Sequence, residues 1–194
     1  MSAGTICANL RVVLLSAILG LIALSFAPSQ AQAQFSETWE FYKAMEKGDY
    51  REMMSRLNKG ANINRPRDDQ PAIVMAADKS DQHLLGFLID NGANVNGATI
   101  ERQETALMRR AGAGDVETVR FLLDRGADPN AQDRSGETAL IRAARGHKRK
   151  VVQLLLDSGA DVDRADYTGK TALDYARDAR ARNIVRALEE AGAR

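Results

Sequence analysis

The chain has 194 residues, and 27 lysines and arginines against 26 aspartates and glutamates give a formal net charge of +1 at pH 7. This balance provides no bulk electrostatic attraction to nucleic acid, and 27% charged with 44% hydrophobic residues is neither a disordered nor a membrane-embedded composition. With aromatic residues at 5% and a single cysteine, an aromatic-rich β fold is not expected, and an internal disulfide or a multi-cysteine zinc site is excluded.

Residues 1–33 are predicted to form a cleavable secretory signal. Arg11 precedes an uncharged apolar run at 12–27, and a small-x-small pattern that signal peptidase recognises ends at Ala33. An uncleaved membrane anchor is the alternative. The run is interrupted by Gly20, however, and is shorter than the roughly 20 residues of a membrane-spanning helix. Cleavage after Ala33 is therefore the preferred interpretation.

Removal of this signal changes the composition of the working protein. Taking 33 residues from 194 leaves 161, and because Cys7 and Arg11 leave with the signal, the remainder has 26 basic and 26 acidic side chains and no cysteine. A chain without thiols cannot form wrong disulfides in an oxidising compartment. The predicted location is the periplasm, with the extracellular space as the alternative, and the chain would meet a membrane only transiently, during export.

A Gly-Ala dipeptide recurs at a nearly fixed period in the mature chain. It begins at Gly60, Gly92, Gly126, Gly159 and Gly192, in steps of 32, 34, 33 and 33 residues. Between these marks two short apolar runs show helical spacing. Each glycine follows the second run, where the end of a helix needs a left-handed backbone that glycine adopts without steric cost. The five predicted units of two helices each span residues 37–65, 66–98, 99–131, 132–164 and 165–194.

The first helix of three units is predicted to begin after a threonine. Thr105, Thr138 and Thr171 each precede an apolar run. Their hydroxyl groups can accept hydrogen bonds from the free N–H groups of the first helical turn.

These units resemble the ankyrin repeat, whose first helix carries the pattern T-P-L-H-x-A. The fullest copy is Thr138-Ala-Leu-Ile-Arg-Ala143, and it ends at Gly159-Ala-Asp161. Ile141 stands where the family has histidine, so the side-chain network of that histidine is expected to be missing. The resemblance covers about residues 37–194. It implies an all-α solenoid of about five helix-turn-helix repeats with short β-turn fingers, in one domain over 34–194.

The two ends of such a stack must differ from its middle, because each terminal repeat has only one neighbour. Trp39, Phe41 and Tyr42 begin the first unit and are predicted to form a lid over the apolar end, with ligand stacking as an alternative role. At the other end, the polar residues at 177–182 and 189–190 suit a cap exposed to water.

No group of residues predicts catalysis, a bound cofactor or a metal. His83 and His147 lie two repeats apart, which is not close ligand spacing. Three aspartates within 161–166 suggest a calcium loop, but Ala165 occupies a ligand position and no glycine follows at the sharp turn, so a polar loop is favoured. Nucleophile and phosphate-binding glycine motifs are missing. The chain is not expected to be an enzyme.

The densest basic run is Gly146-His-Lys-Arg-Lys150, which could be interpreted as a phosphate or nucleic-acid contact. Acidic residues balance it elsewhere in the chain, and no aromatic residue is interleaved with it. A solvated turn between helices is the favoured interpretation, and nucleic acid is not an expected partner.

Proteins with this repeat commonly bind through their turn tips and the exposed side of their first helices, so the resemblance implies another protein as the partner. Arg109 and Arg142 lie one period apart and are expected to stack in neighbouring repeats within a basic surface. Arginine forks pair with carboxylates, so the partner is expected to present an acidic patch. The alternative is that these charges only keep the surface soluble. The predicted partner-binding residues are Arg67, Arg102, Arg109, Arg134, Arg142, Arg145, Tyr167 and Tyr175.

The predicted function is therefore protein–protein interaction without catalysis. The alternative is an inhibitory or regulatory protein that occludes an enzyme or toxin in the same compartment. An inhibitor would abolish an activity, whereas a scaffold would bind without changing it.

Overall fold

The structure, a computed structural model, describes residues 30–193, which form ten α-helices with isolated β-bridges and no extended strand. The all-α class is thereby confirmed. The helices follow one another in five pairs: α1 (Gln30–Lys47) and α2 (Tyr50–Asn58), α3 (Ala72–Asp78) and α4 (Gln82–Asp90), α5 (Ala106–Ala113) and α6 (Val116–Asp124), α7 (Ala139–Arg145) and α8 (Arg149–Asp157), α9 (Ala172–Asp178) and α10 (Arg182–Glu190).

The threonine caps are confirmed at all three predicted positions. The hydroxyl of Thr138 accepts from the backbone N–H of Ile141 at 3.2 Å, and Thr105 caps α5 in the same way. Thr171 forms a full capping box, because the Asp174 carboxylate also accepts from the Thr171 N–H at 2.9 Å. A cap of this kind contributes about 1 kcal/mol to helix stability.

The Gly-Ala period has a structural explanation at the end of each second helix. All five glycines have a left-handed backbone, as at Gly159 with φ of 82°. The next residue folds back, and the Ala160 N–H donates to the carbonyl of Leu155 at 3.0 Å. This alanine is 8% exposed and packs on the core. Each position therefore needs glycine for the turn and then a small apolar side chain.

The core runs through the whole stack. The first helices α3, α5, α7 and α9 pack in a row, each against the next. Their buried faces consist largely of alanines, such as Ala106, Ala111, Ala143 and Ala176, and small side chains let the helices approach closely. The second helices contribute larger side chains such as Leu155, and burying one of these contributes about 1.5–3 kcal/mol.

Asparagine side chains join the first four Gly-Ala turns, each to the next. The Asn130 amide donates to the carbonyl of Gly159 at 3.2 Å, and its oxygen accepts from the N–H of Asp161 at 2.7 Å. Asn96 makes the equivalent pair of contacts one repeat earlier, and Asn64 makes it two repeats earlier. The spacing of the repeats is thus fixed by side-chain hydrogen bonds as well as by apolar packing.

The predicted aromatic lid is only partly correct. Phe41 and Tyr42 are 0% and 1% exposed and belong to the core, whereas Trp39 is 43% exposed. Trp39 and Phe41 are two residues apart on α1, and about 100° per residue places them on nearly opposite sides of the helix. Trp39 instead lies beside Arg67, whose guanidinium is 5.5 Å from the ring centroid.

Most of the predicted secretory signal, residues 1–29, lies outside the described residues. The proposed cleavage site after Ala33 falls in the exposed first turn of α1. Within the described residues, no helix has the length and apolar character needed to cross a membrane.

Candidate functional site

Four turn tips precede the first helices and are called fingers below: residues 67–70, 98–105, 133–137 and 166–170. Neighbouring fingers are joined through their backbones. The N–H of Arg134 donates to the carbonyl of Arg102 at 2.9 Å, and the N–H of Tyr167 donates to Ser135 at 3.0 Å. The fingers and the exposed side of the first helices together form one surface, called the finger face.

A buried aspartate holds the last finger in shape. Asp166 accepts hydrogen bonds from the N–H groups of Thr168 and Lys170 and from the hydroxyl of Tyr175, the last at 2.7 Å. Burial alone would raise the pKa of Asp166, but these hydrogen bonds outweigh it and lower the pKa to about 2. The same contact raises the pKa of Tyr175. Tyr175 therefore acts as a support for the finger.

Arg142 lies at the centre of an ion-pair cluster between the third and fourth repeats. Its Nη2 atom is 2.9 Å from Glu104 Oε1 and 2.5 Å from Asp133 Oδ2, and its Nε atom is 3.3 Å from Glu137 Oε2. Burial by itself would lower the pKa of Arg142, but the pairs with Glu104 and Asp133 raise it. Only 15% of this side chain is exposed. Arg142 thus cross-links two fingers.

The neighbouring arginines are also paired. Arg109 Nη1 lies 2.9 Å from Asp78 Oδ2, which links α5 to α3. Arg145 pairs with Glu137, and its guanidinium lies 5.7 Å from the ring centroid of Tyr175. The Arg109–Asp78 pair and the Arg145–Tyr175 contact connect adjacent repeats along the first helices.

Three of the predicted residues project from the fingers. Arg102 is 78% exposed and 3.8 Å from Glu104, a weak contact at that distance. Arg134 is exposed, and its guanidinium donates to the carbonyl of Ile100 at 3.3 Å. Tyr167 is 73% exposed, the largest value among the bulky hydrophobic side chains described. These side chains are available to a partner.

The aromatic ring of Tyr167 rests on Gly136. A Cβ atom at Gly136 would lie 2.7 Å from both the ring and the backbone nitrogen of Tyr167, and the φ of 79° is left-handed. Only glycine fits this position without displacing the next finger.

Arg67 lies apart from the other predicted residues. It pairs with Glu46 and packs between Trp39 and Tyr42, whose ring centroids lie 5.5 and 5.2 Å from its guanidinium. The structure thus brings together Arg102, Arg134, Arg142 and Arg145 but not Arg67.

An open cavity of about 370 Å³ lies between the second and third fingers. Its wall carries Arg102, Arg134, Arg142 and Arg145, but also four carboxylates, which are Glu101, Glu104, Asp133 and Glu137. The expected basic surface is therefore largely neutralised by the chain itself. The physical reason is proximity, because a guanidinium and a carboxylate this close attract one another more strongly than either attracts solvent ions.

The carboxylates of this cluster were not identified as arginine partners in the sequence analysis. A signal for them exists, since Glu104 precedes Arg109 by five residues and Glu137 precedes Arg142 by the same interval. What the spacing does not reveal is the cross-repeat pair between Arg142 and Glu104, which depends on how neighbouring repeats stack.

The remaining candidate groups have ordinary surroundings. His83 and His147 are exposed and far apart in the sequence. Asp161 accepts a hydrogen bond from the N–H of Asp163 within its own turn, and Asp166 accepts one from the N–H of Thr168 within its own finger. Within residues 30–193, no three histidine, cysteine or acidic side chains are grouped so as to hold a metal ion.

Comparison with known proteins agrees with this architecture. The chain matches the family model described as ankyrin repeats (3 copies) over residues 41–133 and 107–194. It is 38% identical over 69 residues to potassium channel AKT3 of Oryza sativa subsp. japonica, and the matched segment covers 36% of this chain and 8% of that protein.

Two further relatives match segments of similar length. Ankyrin repeat and KH domain-containing protein mask-1 of Caenorhabditis elegans is 32% identical over 73 residues, covering 38% of this chain and 3% of that protein. E3 ubiquitin-protein ligase HACE1 of Xenopus tropicalis is 36% identical over 84 residues, covering 41% of this chain and 9% of that protein. This chain spans less than a tenth of the length of each of the three relatives.

Repeats of this kind generally act as modules for protein–protein interaction and not as enzymes. The match extends over most of the described residues and agrees with the five stacked helix pairs. The chain belongs to the ankyrin-repeat family.

Proposed function

We propose that this chain is exported to the periplasm and binds another protein through its finger face, without catalysing a reaction. The observation that carries the proposal is the contrast within that face between paired and projecting side chains. Arg109, Arg142 and Arg145 hold the fingers in place, while Arg102, Arg134 and Tyr167 extend into solvent.

A rigid surface of this kind favours binding, because little conformational entropy is lost when side chains on a fixed backbone meet a partner. Tyrosine and arginine are also the residue types that most often anchor protein interfaces. Tyr167 is held by Gly136 below it and offers a large aromatic surface with few rotatable bonds.

The proposed partner presents carboxylates to Arg102 and Arg134. These two guanidinium groups have weaker contacts within the chain than Arg142 does, so they retain more capacity for bidentate pairing. Carboxylates of the chain line the same cavity, so the partner's acidic groups must reach the finger tips and not the cavity floor.

Affinity capture from the periplasm tests this proposal. The wild-type chain is compared with a triple variant, Arg102→Glu, Arg134→Glu and Tyr167→Ala. We expect the wild type to retain a defined partner and the triple variant to lose it, with thermal unfolding nearly unchanged, because all three side chains are exposed.

The matched control reverses two exposed charges elsewhere, at Arg51 and Lys59 on the first repeat. Its capture should equal that of the wild type. If the triple variant captured the partner as well as the wild type does, the finger face would not be the binding surface. If the captured partner has an enzymatic or toxic activity, its loss on binding would identify the chain as an inhibitor, and its persistence as a scaffold.

Export is tested separately by fractionating cells and measuring the mass of the chain. We expect the periplasmic fraction to contain a chain that begins at Gln34. A chain retained in the membrane with residues 1–33 intact would contradict the proposed cleavage.

A further inference from the structure

The fingers lie at the start of each first helix, and a second set of turns, called junctions below, lies at its end. The first three junctions have the same chemistry. Asp49, Asp81 and Asp115 each precede the second helix, and each carboxylate accepts a hydrogen bond from the N–H three residues later. A negative charge therefore stands at each of these three turns.

The last two junctions lack this carboxylate. The corresponding residues are Lys148 and Ala181, and neither provides a side-chain cap. His147 precedes Lys148, and Arg180 precedes Ala181. At the first and third junctions the same position is taken by glycine, at Gly48 and Gly114. Two neighbouring junctions have thus lost their negative charge and gained positive ones.

The structure brings these two junctions together. An open cavity of about 380 Å³ is lined by His147, Arg149, Arg180 and Arg182, and the remaining wall residues carry no charge. These four side chains are called the junction cluster. The cavity lies in the range of about 300–1,000 Å³ typical of small-ligand pockets.

The arginines of the junction cluster are unpaired. Within residues 30–193, Arg149, Arg180 and Arg182 form no ion pair, whereas Arg109, Arg142 and Arg145 on the finger face are all paired. Like charges that converge on one cavity repel one another. An anion bound between them would relieve that repulsion.

The backbone adds a cost to this arrangement. His147 and Arg180 have φ of 57° and 54°, a left-handed conformation that is unfavourable for a residue with a Cβ atom. Glycine occupies the same conformation at Gly48 and Gly114, and Ser80 does so at the second junction. At the last two junctions, His147 and Arg180 stand where a glycine would adopt this backbone conformation without steric cost.

A second cavity has one wall residue in common with the first. It shares Arg149, adds Arg120 and Lys150, and reaches about 580 Å³. Asp124 and Asp157 also line it and would repel an anion from that part. A bound anion is therefore centred on the junction cluster.

We propose that the junction cluster is a binding site for an anion carrying phosphate groups. Guanidinium forks match the geometry of phosphate oxygens and can contact them in pairs. The described exposed large hydrophobic side chains are Phe35, Trp39, Tyr50, Met54, Ile100 and Tyr167, and all lie outside the cluster, so the site offers neither an apolar anchor for a bilayer nor a ring for base stacking.

This site goes beyond the proposed function, because it lies at the opposite end of the first helices from the fingers. The favoured interpretation of residues 146–150 as a solvated turn agrees with the exposure of His147, Arg149 and Lys150. The additional fact is the proximity of Arg180 and Arg182, which come from the next repeat.

Isothermal titration of the mature chain with pyrophosphate tests the site. We expect saturable binding that weakens as salt is added, because charge pairing at an exposed site is screened. The double variant Arg149→Gln with Arg182→Gln should raise the Kd about tenfold or more, since each lost arginine removes charge-assisted hydrogen bonds. The control variant Arg51→Gln with Lys59→Gln makes the same change in net charge far from the site and should leave the Kd within about twofold.

Flotation with vesicles distinguishes the two sources of phosphate. Vesicles of phosphatidylglycerol and phosphatidylcholine in equal parts are compared with phosphatidylcholine alone. Binding to pyrophosphate, to the anionic vesicles or to both, with loss in the Arg149 and Arg182 double variant, supports the site and identifies the source. If the wild type binds neither, or if the double variant binds as well as the control, the proposal is overturned. Equally tight, arginine-dependent binding of a polyglutamate peptide would also overturn it, because the site would then not select phosphate.

The variant Arg180→Gly separates binding from folding. Glycine relieves the left-handed strain, so the melting temperature should rise, while the affinity for pyrophosphate should fall because one guanidinium is removed. A variant that is more stable and still binds with the wild-type Kd would contradict the role assigned to Arg180.

Discussion

Arginines at the two ends of the first helices have opposite surroundings. On the finger face, Arg142 is 15% exposed and lies among Glu104, Asp133 and Glu137. In the junction cluster, Arg149 and Arg182 are exposed and converge without an acidic neighbour on their cavity. The same residue type therefore fixes the geometry of the fingers in one place and remains available for an anion in the other.

This contrast is invisible in the overall charge of the chain. A net charge of +1 suggests a uniformly neutral surface, yet carboxylates surround the arginines of the finger-face cavity, whereas no acidic side chain lines the cavity of the junction cluster. Net charge informs solubility, whereas the local pairing of charges decides which surface can attract a ligand.

The largest expected effect follows from removing the central finger arginine. Arg142→Met leaves three carboxylates close together without their shared cation, and breaking a buried ion pair costs about 3 kcal/mol or more. Urea unfolding monitored by circular dichroism measures the loss. The matched variant Arg149→Met should change the free energy of unfolding by less than about 0.5 kcal/mol. Equal losses at the two positions would remove the distinction between the finger face and the junction cluster.

A smaller loss is expected when a Cβ atom is added beneath Tyr167. In Gly136→Ala the new Cβ atom is strained by the left-handed backbone and lies 2.7 Å from the backbone of the next finger. We therefore expect the free energy of unfolding to fall by about 2 kcal/mol. Gly169→Ala meets only the strain, since nothing lies within 4 Å, and should cost about 1 kcal/mol. Thermal unfolding of both variants gives the comparison. A larger loss at Gly169 than at Gly136 would mean that Tyr167 does not rest on a fixed finger.

The sequence predicts those parts of the structure that depend on neighbouring residues. Thr138 and Gly159 carry information about their own helix ends, so the number and order of the helix pairs can be inferred from the period alone, although α1 begins at Gln30, before the first predicted unit. Aspartates at three junctions and their replacement at Lys148 and Ala181 are visible in the same way once the repeats are aligned.

Contacts between repeats are harder to predict. Arg142 meets Glu104, which is 38 residues away, and Arg149 lines a cavity with Arg182 from the next repeat. Both depend on the stacking distance and on side-chain rotamers, which the period does not contain. Trp39 shows the same limit, because aromatic composition does not reveal which side of α1 faces the core.

A gain of stability is expected when the fourth junction is given the chemistry of the first three. Lys148→Asp should allow the new carboxylate to cap the N–H of Val151, as Asp115 caps Thr118 at 3.1 Å, and a cap adds about 1 kcal/mol. Affinity for pyrophosphate should fall at the same time, because a negative charge is placed next to His147 and Arg149 of the cluster. Lys148→Asn provides the cap without the charge, so it should give most of the stability with a smaller loss of affinity. Unfolding and titration of both variants test this, and unchanged stability in both would show that Lys148 does not occupy a capping position.

The smallest effect is expected from protonation of Asp166, which does not change the stability of the fold near neutral pH and lowers it in acid. Its pKa is lowered from 3.8 to about 2 in the folded chain, so the charged form stabilises the fold above 3.8, and that contribution is lost as the pH falls toward 2. Thermal unfolding measured across this interval should show a fall that is shallower in Asp166→Asn, because the amide no longer titrates. The wall of the junction-cluster cavity has no carboxylate, whereas Asp166 lies in the last finger, so the share of the acid loss that comes from Asp166 belongs to the finger face. Parallel curves for the two proteins would mean that the acid-sensitive contact lies outside the last finger.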